Sequence, residues 1–566
     1  MKKRVFIGLG WPYGNSSLHL GHVAGLIGGD VLARYHRLNG DYVLMVSGTD
    51  CYGTPVTLAA IEKGVDPAEI SEKFHKEFYD NLIEKLNFSY DIFTKTTNKT
   101  HTEVVQQLFL DLYENNYIYT KTEDALYSPY LDSFLPDRFV EGTCPKCNFD
   151  GARGDQCDEC GMLLDPLELK NPHVSPKIFK QKKLFSKDKL LEVRKSEHFY
   201  LKLSALQKDI EKHTQKKSST WRSNAKGFVS AFFRQGLQDR AITRDISWGV
   251  PIPIEGYEDK RIYVWFDAVT GYLSASKLWA KEKDERQEWK EWWDNKDALH
   301  YYVHGKDNIP FHAIIWTGML LGQGKYHLPD TIVSSEYLLL EGKQFSKSRG
   351  WAVLLPDFLD SFDAETLRFF LIANGPETSD TNFSWELFSE RVNSELIGTF
   401  GNLVHRVLSI AKGRFKGSLC FPESIDSESK EVIDFTKDAF KEVGKLIEET
   451  KFRAAFKTVM EVAEHGNRYI DKKAPWNKIK EEGKTEEVEH DLAVATHIIY
   501  CLSILINPFL PRASEKMHEF LKEDIENISW SYPQPKKAQE IGNISPLYSA
   551  VTKEEVEEQK KKLNNS

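Results

Sequence analysis

Three features of the 566-residue sequence predict an α/β fold in which a parallel sheet is split by an insertion and followed by an all-helical region. Short continuous apolar runs alternate with amphipathic segments on either side of residues 117–235, the pattern of strands covered on both faces. Within 117–235 that rhythm is lost, and four cysteines fall within seventeen positions. From residue 384 to about 521 the periodicity is helical almost throughout, the pattern of a bundle.

The elements follow in order. Residues 4–9 form a first strand, broken by Trp11, Pro12 and Gly14. Asn15, Ser16 and Ser17 supply N-cap side chains for an amphipathic helix over 18–38, which Asn39 and Gly40 close. A second strand over 42–46 ends at Ser47-Gly48-Thr49-Asp50 and leads to a helix over 67–86. The strand–helix rhythm resumes with the apolar run 262–266, then 299–304, a helix over about 310–321, and a last strand at 331–333. The end of the chain, 551–566, is rich in Lys and Glu, as a surface helix or a frayed tail would be.

Composition removes several classes of function. Apolar residues make up 41% and charged residues 28%, with no run of about 18 apolar residues to span a bilayer. The basic residues 2–4 precede an apolar run too short for a signal peptide. A net charge of −9 argues against a surface uniformly basic for non-specific nucleic-acid binding, but leaves room for a local basic path, for which 177–195 and 202–226 are candidates. Cys144, Cys147, Cys157 and Cys160 form two C-x-x-C pairs, the spacing of a tetrahedral zinc site. Four thiolates close the shell, so the metal is expected to be structural and the compartment reducing.

Catalytic chemistry is suggested first by His19-Leu20-Gly21-His22. Two imidazoles three residues apart on a first helical turn face the same way, where free backbone N–H groups favour an anion. Gly21 leaves space for a base or phosphate to approach the backbone. A lone His-x-x-His serves structural or metal roles about as often. Its place after the first strand of a parallel sheet points to a nucleotide.

His19-Leu20-Gly21-His22 resembles the first signature of class I aminoacyl-tRNA synthetases, and Phe345-Ser346-Lys347-Ser348 resembles the second, in the expected order around a Rossmann-like split sheet. The run 134–147 followed by Cys157 to Cys160 is similar to the zinc knuckle of the methionyl-tRNA synthetase family. That resemblance implies ATP-dependent activation of L-methionine and its transfer to tRNA(Met), with Mg2+ accompanying ATP. His19, His22 and Lys347 are then the catalytic residues, and Gly21, Gly305 and Asp307 join them in holding ATP. Trp11, Tyr13, Asp50, Arg244, Trp265, Ala268, Tyr272 and His312 would surround methionine, Asp50 pairing with the ammonium. Asn402, Arg406 and Trp476 would read the anticodon. The implied layout is a catalytic domain at 1–116 and 236–334, a zinc-binding insertion at 117–235, a signature-loop (stem-contact) region at 335–384, an anticodon-binding helical domain at 385–540 and a tail at 541–566. A cytoplasmic monomer is expected.

The chain departs from the family pattern at Gln344, where a lysine is usual, and at Trp11, Val269 and Thr270 in the amino-acid pocket, which predicts a reshaped pocket with altered inhibitor sensitivity. Leucyl, isoleucyl and valyl enzymes carry a large editing insertion for which 117–235 has little room. Cysteinyl enzymes need zinc with an open position, which four clustered cysteines do not leave. A non-catalytic tRNA-binding paralogue is opposed by the intact His19, His22 and Lys347.

Overall fold

The computed structural model describes every residue except 1, 155–156, 158, 161, 163, 176–177, 179–190, 284–287, 348–349 and 565–566. Its centre is a five-stranded parallel sheet formed by β1 (Arg4–Leu9), β2 (Tyr42–Thr49), β3 (Ile92–Lys95), β4 (Leu299–Gly305) and β5 (Thr331–Ser335), in the order β5-β4-β1-β2-β3. Successive strands run outward from β1 in one direction and from β4 in the other, so the strand order reverses between β1 and β4. In sheets of this kind ligands bind outside the carboxyl ends at that reversal.

Side chains alternate across the sheet as its pleat requires. Val5, Ile7 and Leu9 of β1, with Met45, Val303 and Val333, join the core shared with the helical region. Phe6, Leu44, Val46, Tyr302 and Ile332 join the core on the other face. Burial on both faces explains why these strands read as unbroken apolar runs.

Helix α1 (Leu20–Leu38) lies between the sheet and the helical region. A Cβ at Gly29 would meet Leu9 at 2.6 Å and one at Gly28 would meet the Phe452 ring at 2.4 Å, so the two glycines permit close packing on both sides. The helix does not start on the predicted caps. Leu20 N–H donates to Val353 O and Leu355 N–H to Leu18 O, which draws residues 18–20 alongside 353–355 and leaves His19 as the N-cap. The run 262–266 also differs from its expected strand: only Arg261–Ile262 is paired as strand, and after the extended N-cap Tyr263 helix α2 (Val264–Glu282) begins. Buried almost all round, α2 has lost the polar face that would have marked it as helical. The predicted helix over 67–86 is Pro67–Tyr79 followed by a wider turn, Asp80–Lys85.

Between the halves of the sheet, Ile118–Ser128 pairs antiparallel with Glu192–Leu201 along ten residues, from Ile118 opposite Leu201 to Tyr127 opposite Glu192. A small sheet of Val140–Thr143, Asp150–Arg153 and Lys170–Val174 carries the cysteine cluster. Most of the basic run 177–195 lies outside the described residues. The helices Leu203–Lys217 and Ser223–Gln235 return to the main core, with Leu203, Leu206 and Ile210 beside Met319 and Leu320.

The carboxyl-terminal part is built on Asn402–Arg414, Ser427–Glu448, Phe452–Lys473 and Thr485–Ile506. Thr485–Ile506 is long and apolar enough to cross a membrane, yet it is the packed centre of this bundle, with 83% of its apolar window buried. A short strand Ser418–Cys420 pairs with Ala538–Glu540. The tail forms a helix, Lys553–Asn564, that buries Val556 and binds Glu386 through Lys560.

Candidate functional site

The two motif histidines sit at the carboxyl end of β1, where α1 begins. His19 Nδ1 accepts from the Gly21 N–H at 3.1 Å, and His22 Nδ1 accepts from the His19 N–H at 3.1 Å. This reciprocal cap settles both tautomers. With Nδ1 of each ring committed as an acceptor, the neutral imidazole carries its proton on Nε2 and presents an N–H donor. Burial, with Lys347 adding a smaller push, drives His22 down to about 3, and burial also lowers His19, so both are uncharged donors at neutral pH. The rings lie 3.8 Å apart.

The second motif closes over the first. Phe345 stacks on His19 at 4.7 Å and 9°, and Lys347 Nζ donates to Ser16 Oγ (2.7 Å) and Ser17 O (2.6 Å). Residues 348 and 349, the motif's last serine and the arginine after it, lie outside the described residues. Burial lowers Lys347 to about 8, partly opposed by Glu77. Its charge is therefore full below that pH and lost above it. We expect kcat/KM for ATP to fall as pH rises through about 8, and Lys347→Arg to move that limb upward because guanidinium stays charged; a steady-state pH series on both proteins checks this.

Beside them the carboxyl end of β4 delivers Gly305 and Asp307. Tyr337, just after β5, donates its hydroxyl to Asp307 Oδ1 and carries Lys306 Nζ over its ring at 3.8 Å.

Asp50, which pairs through its backbone with Tyr13, is only 2% exposed. Trp11 packs against two glycines, where a Cβ would meet its ring at 2.4 Å from Gly48 and 2.8 Å from Gly271. Tyr13 meets Trp265 edge-on at 5.9 Å, and Trp265 stacks on Phe311 at 3.6 Å. His312 Nδ1 lies 2.8 Å from Asn308 O and so donates; its Nε2 then accepts from Tyr272 Oη at 2.7 Å. Ala268 is buried on the same helix. Burial pushes the Asp50 carboxyl up, with the Tyr52 N–H opposing. Arg244 is engaged elsewhere: its guanidinium binds Asp137 at 3.2 Å and lies over Tyr263. Two residues that no sequence pattern singled out also come to this site. His101 arrives from Lys99–Glu114, and Tyr337 from the segment after β5; each is distant in the chain from what it touches, and no local signal marks it.

The cysteine sulfurs all lie within 4.8 Å of one another, with Cys144–Cys160 at 3.9 Å and Cys147–Cys157 at 3.6 Å. Four ligands at about 2.3 Å around a tetrahedral metal would sit about 3.8 Å apart, so this cluster has the dimensions to hold a metal ion. Backbone N–H groups of Cys147 and Lys146 hold Cys144 down at about 7, while, against the Phe149 N–H, desolvation and the neighbouring thiols push Cys147 up to about 12, so one sulfur of the cluster is favoured as thiolate at its neighbour's expense until a metal takes the place of the shared protons.

In the bundle, Arg406 lies with its guanidinium 5.1 Å from the Trp476 ring and binds Asp471 (2.7 Å) and Asn467 (3.2 Å). Asn402, one turn earlier, is exposed.

Comparison with known proteins agrees with this architecture. Residues 5–408 match the family described as tRNA synthetases class I (M), and residues 422–563 match the anticodon binding domain of methionyl tRNA ligase. Two motifs meeting at the reversal point of a parallel sheet thus belong to a class I aminoacyl-tRNA synthetase. A methionine–tRNA ligase of Bacillus mycoides is 43% identical over 564 residues, covering 99% of each chain. One of Dehalococcoides mccartyi is 43% identical over 562 residues, again 99% of each. The solved Mycobacterium tuberculosis methionyl-tRNA synthetase bound by methionyl-adenylate shares the fold, with a TM-score of 0.80 at 22% identity over 97% of this chain and 100% of its own. The chain belongs to the methionyl-tRNA synthetase family, a ligase that activates methionine with ATP and joins it to tRNA. These matches lend no support to a leucyl, valyl, isoleucyl or cysteinyl specificity, or to a non-catalytic paralogue.

Proposed function

We propose that the Nε2–H groups of His19 and His22 and the ammonium of Lys347 form one donor cluster for the phosphates of ATP. The observation that carries this is the capping geometry, which leaves both imidazoles neutral with a donor free. Attack of the methionine carboxylate on the α-phosphate shifts charge onto the phosphate oxygens and the departing pyrophosphate, and donors fixed in advance lower that barrier. Mg2+ accompanies ATP and shares in neutralising the phosphates. Gly21 and Gly305 allow the nucleotide close to the backbone, and Asp307, oriented by Tyr337, is placed for hydroxyl groups. Asp50 takes the α-ammonium, while Trp11, Tyr13, Trp265, Ala268, Tyr272 and His312 enclose the thioether, whose polarizable sulfur favours aromatic edges. Arg244 acts from the rim, through Asp137 and Tyr263.

For tRNA(Met), Trp476 offers a stacking face and Asn402 and Arg406 offer base-edge donors on one helix. The proposed domain limits are those of the sequence reading, with 117–235 as the insertion and 385–540 as the anticodon-binding part, in a monomer working in the cytoplasm. Methionine-dependent ATP–pyrophosphate exchange with a panel of amino acids, followed by charging of tRNA(Met), tests the whole reading. Exchange with methionine alone is expected; exchange with leucine or valine in its place would overturn it.

The metal is proposed to be one structural Zn2+ held by Cys144, Cys147, Cys157 and Cys160, supplying a crosslink and no open position. We expect one zinc per chain by elemental analysis. Chelation should lower the melting temperature, and Cys157→Ser should lose both the metal and that sensitivity.

A further inference from the structure

Two imidazoles stack at the carboxyl end of β4. His304, the last residue but one of that strand, is 0% exposed, and its ring lies 4.1 Å from that of His312 at an interplanar angle of 20°. A Cβ on Gly10 would come 3.3 Å from His304 Cβ, and the Gly10 N–H donates to Val303 O. The pair therefore sits where the strand order reverses between β1 and β4.

Each ring grips one end of the same turn. His304 Nδ1 lies 2.9 Å from Gly305 O, and His312 Nδ1 lies 2.8 Å from Asn308 O. A carbonyl oxygen only accepts, so both Nδ1 atoms carry a proton and donate. Between the two held carbonyls runs the single turn Lys306–Asn308, with Asp307 in its middle. The turn and the two imidazoles thus form a circuit that the ring stack closes. The more exposed side of the turn is tied separately: Lys306 Nζ binds Glu336 at 2.7 Å and Asp380 at 3.1 Å, and Tyr337 donates to Asp307 Oδ1.

His304 Nε2 has no hydrogen-bond partner among the described residues, so the described hydrogen bonding of this ring goes to Gly305 O. Phenylalanine would stack in the same space with no polar atom to take out of water. What histidine adds there is the donor. Holding Gly305 O fixes the plane of the peptide between Gly305 and Lys306, where the chain leaves β4 for the turn. A rotation of that plane would be carried to Asp307, two residues on.

We propose that His304 is a positioning residue of the nucleotide site: by donating from Nδ1 to Gly305 O while stacked on His312, it fixes the turn on which Asp307 meets the ribose hydroxyls of ATP. His312 holds the other end of that turn, and its Nε2 accepts from Tyr272 Oη in the amino-acid site, so one ring stack stands between the two substrates. This rests on the reading of Asp307 as the group that meets those hydroxyls.

The test is methionine-dependent pyrophosphate exchange on the full-length enzyme, with ATP compared against its 2′-deoxy and 3′-deoxy forms and KM for methionine measured alongside. The preference is the ratio of kcat/KM for ATP to that for each deoxy nucleotide. Asp307→Ala should lower the larger of the two preferences about tenfold or more, as loss of a hydrogen bond to a charged group does. His304→Phe keeps the stacked ring and loses the donor. It should lower the same preference about fivefold, with KM for methionine within about twofold. His304→Asn places an amide N–H near the position of Nδ1 and should hold that preference within about twofold of wild type. An Asn variant as indiscriminate as the Phe variant would overturn the donor role. Equal rises in KM for methionine and for ATP in His304→Phe would overturn the assignment to the nucleotide site. Asp307→Ala separates the premises. An unchanged preference there removes the reading of Asp307 and the proposal with it. A lowered preference there alongside an unchanged one in His304→Phe removes the proposal alone.

Discussion

Lys347→Ala is expected to lower kcat of methionine-dependent pyrophosphate exchange by about 10² to 10³-fold, the range for losing one preorganised charge stabiliser, while KM for methionine stays within about twofold. The ammonium is held at the mouth of the first motif by Ser16 and Ser17, with Phe345 stacked on His19, and its hydrogen bonds among the described residues go to that segment and not to the aromatic side chains assigned to methionine. Charge on the departing pyrophosphate grows in the transition state, so losing the cation should reduce kcat and kcat/KM for ATP together. Lys347→Arg keeps the charge but not the compact ammonium geometry, and should recover part of the loss. A rise in KM for methionine equal to the loss in kcat would show instead that the loop shapes the amino-acid pocket.

The second large effect concerns stability. Asp30 on α1 is wholly buried and accepts from Ser89 N–H and Oγ, from Arg34 Nε at 3.0 Å and from Arg368 Nη2 at 2.7 Å. Arg368 is itself buried and also donates to Phe509 O and Leu86 O, so one guanidinium joins α1 to the helical region. Asp30→Ala leaves two guanidinium groups in the interior without their counter-charge, a change that costs about 3 to 5 kcal/mol. The melting temperature should fall on the order of 10 °C, as differential scanning fluorimetry would read; a shift within error of wild type would show that the pair carries little. The pH dependence has a definite sign. Burial alone would raise the Asp30 carboxyl, but Arg34, Arg368 and Ser89 outweigh it and hold it well below the usual range. Its contribution is thus present above the unfolded value near about 4 and is lost as pH falls through the folded one. Acid should therefore narrow the gap between wild type and Asp30→Ala.

Much of the site could be read along the chain because its chemistry is local. The strand over 4–9, the break at Pro12 and the His-Leu-Gly-His turn adjoin one another, and the metal ligands are two pairs with fixed spacing. Helix starts were harder. Asn15, Ser16 and Ser17 have the chemistry of caps, but a backbone pairing with 353–355, more than three hundred residues away, assigned that part to His19. Ser16 instead receives Lys347. The start of helix α2 carries no helical signature in the sequence because burial on nearly every side erases the periodicity by which a helix is recognised.

The sequence by itself determined the family, the order of sheet, insertion and bundle, and the residues that carry charge and metal-binding chemistry, since these depend on residue type and short spacing. Only the tertiary structure decided their states. The donor nitrogens of His19 and His22 came from a cap, the lowered titration of Lys347 and the raised carboxyl of Asp50 from burial, and the link between sheet and bundle from Asp30 and Arg368. Protonation and hydrogen-bond direction depend on how much water a group has lost and on which partners face it, and those partners come from segments that only folding brings together.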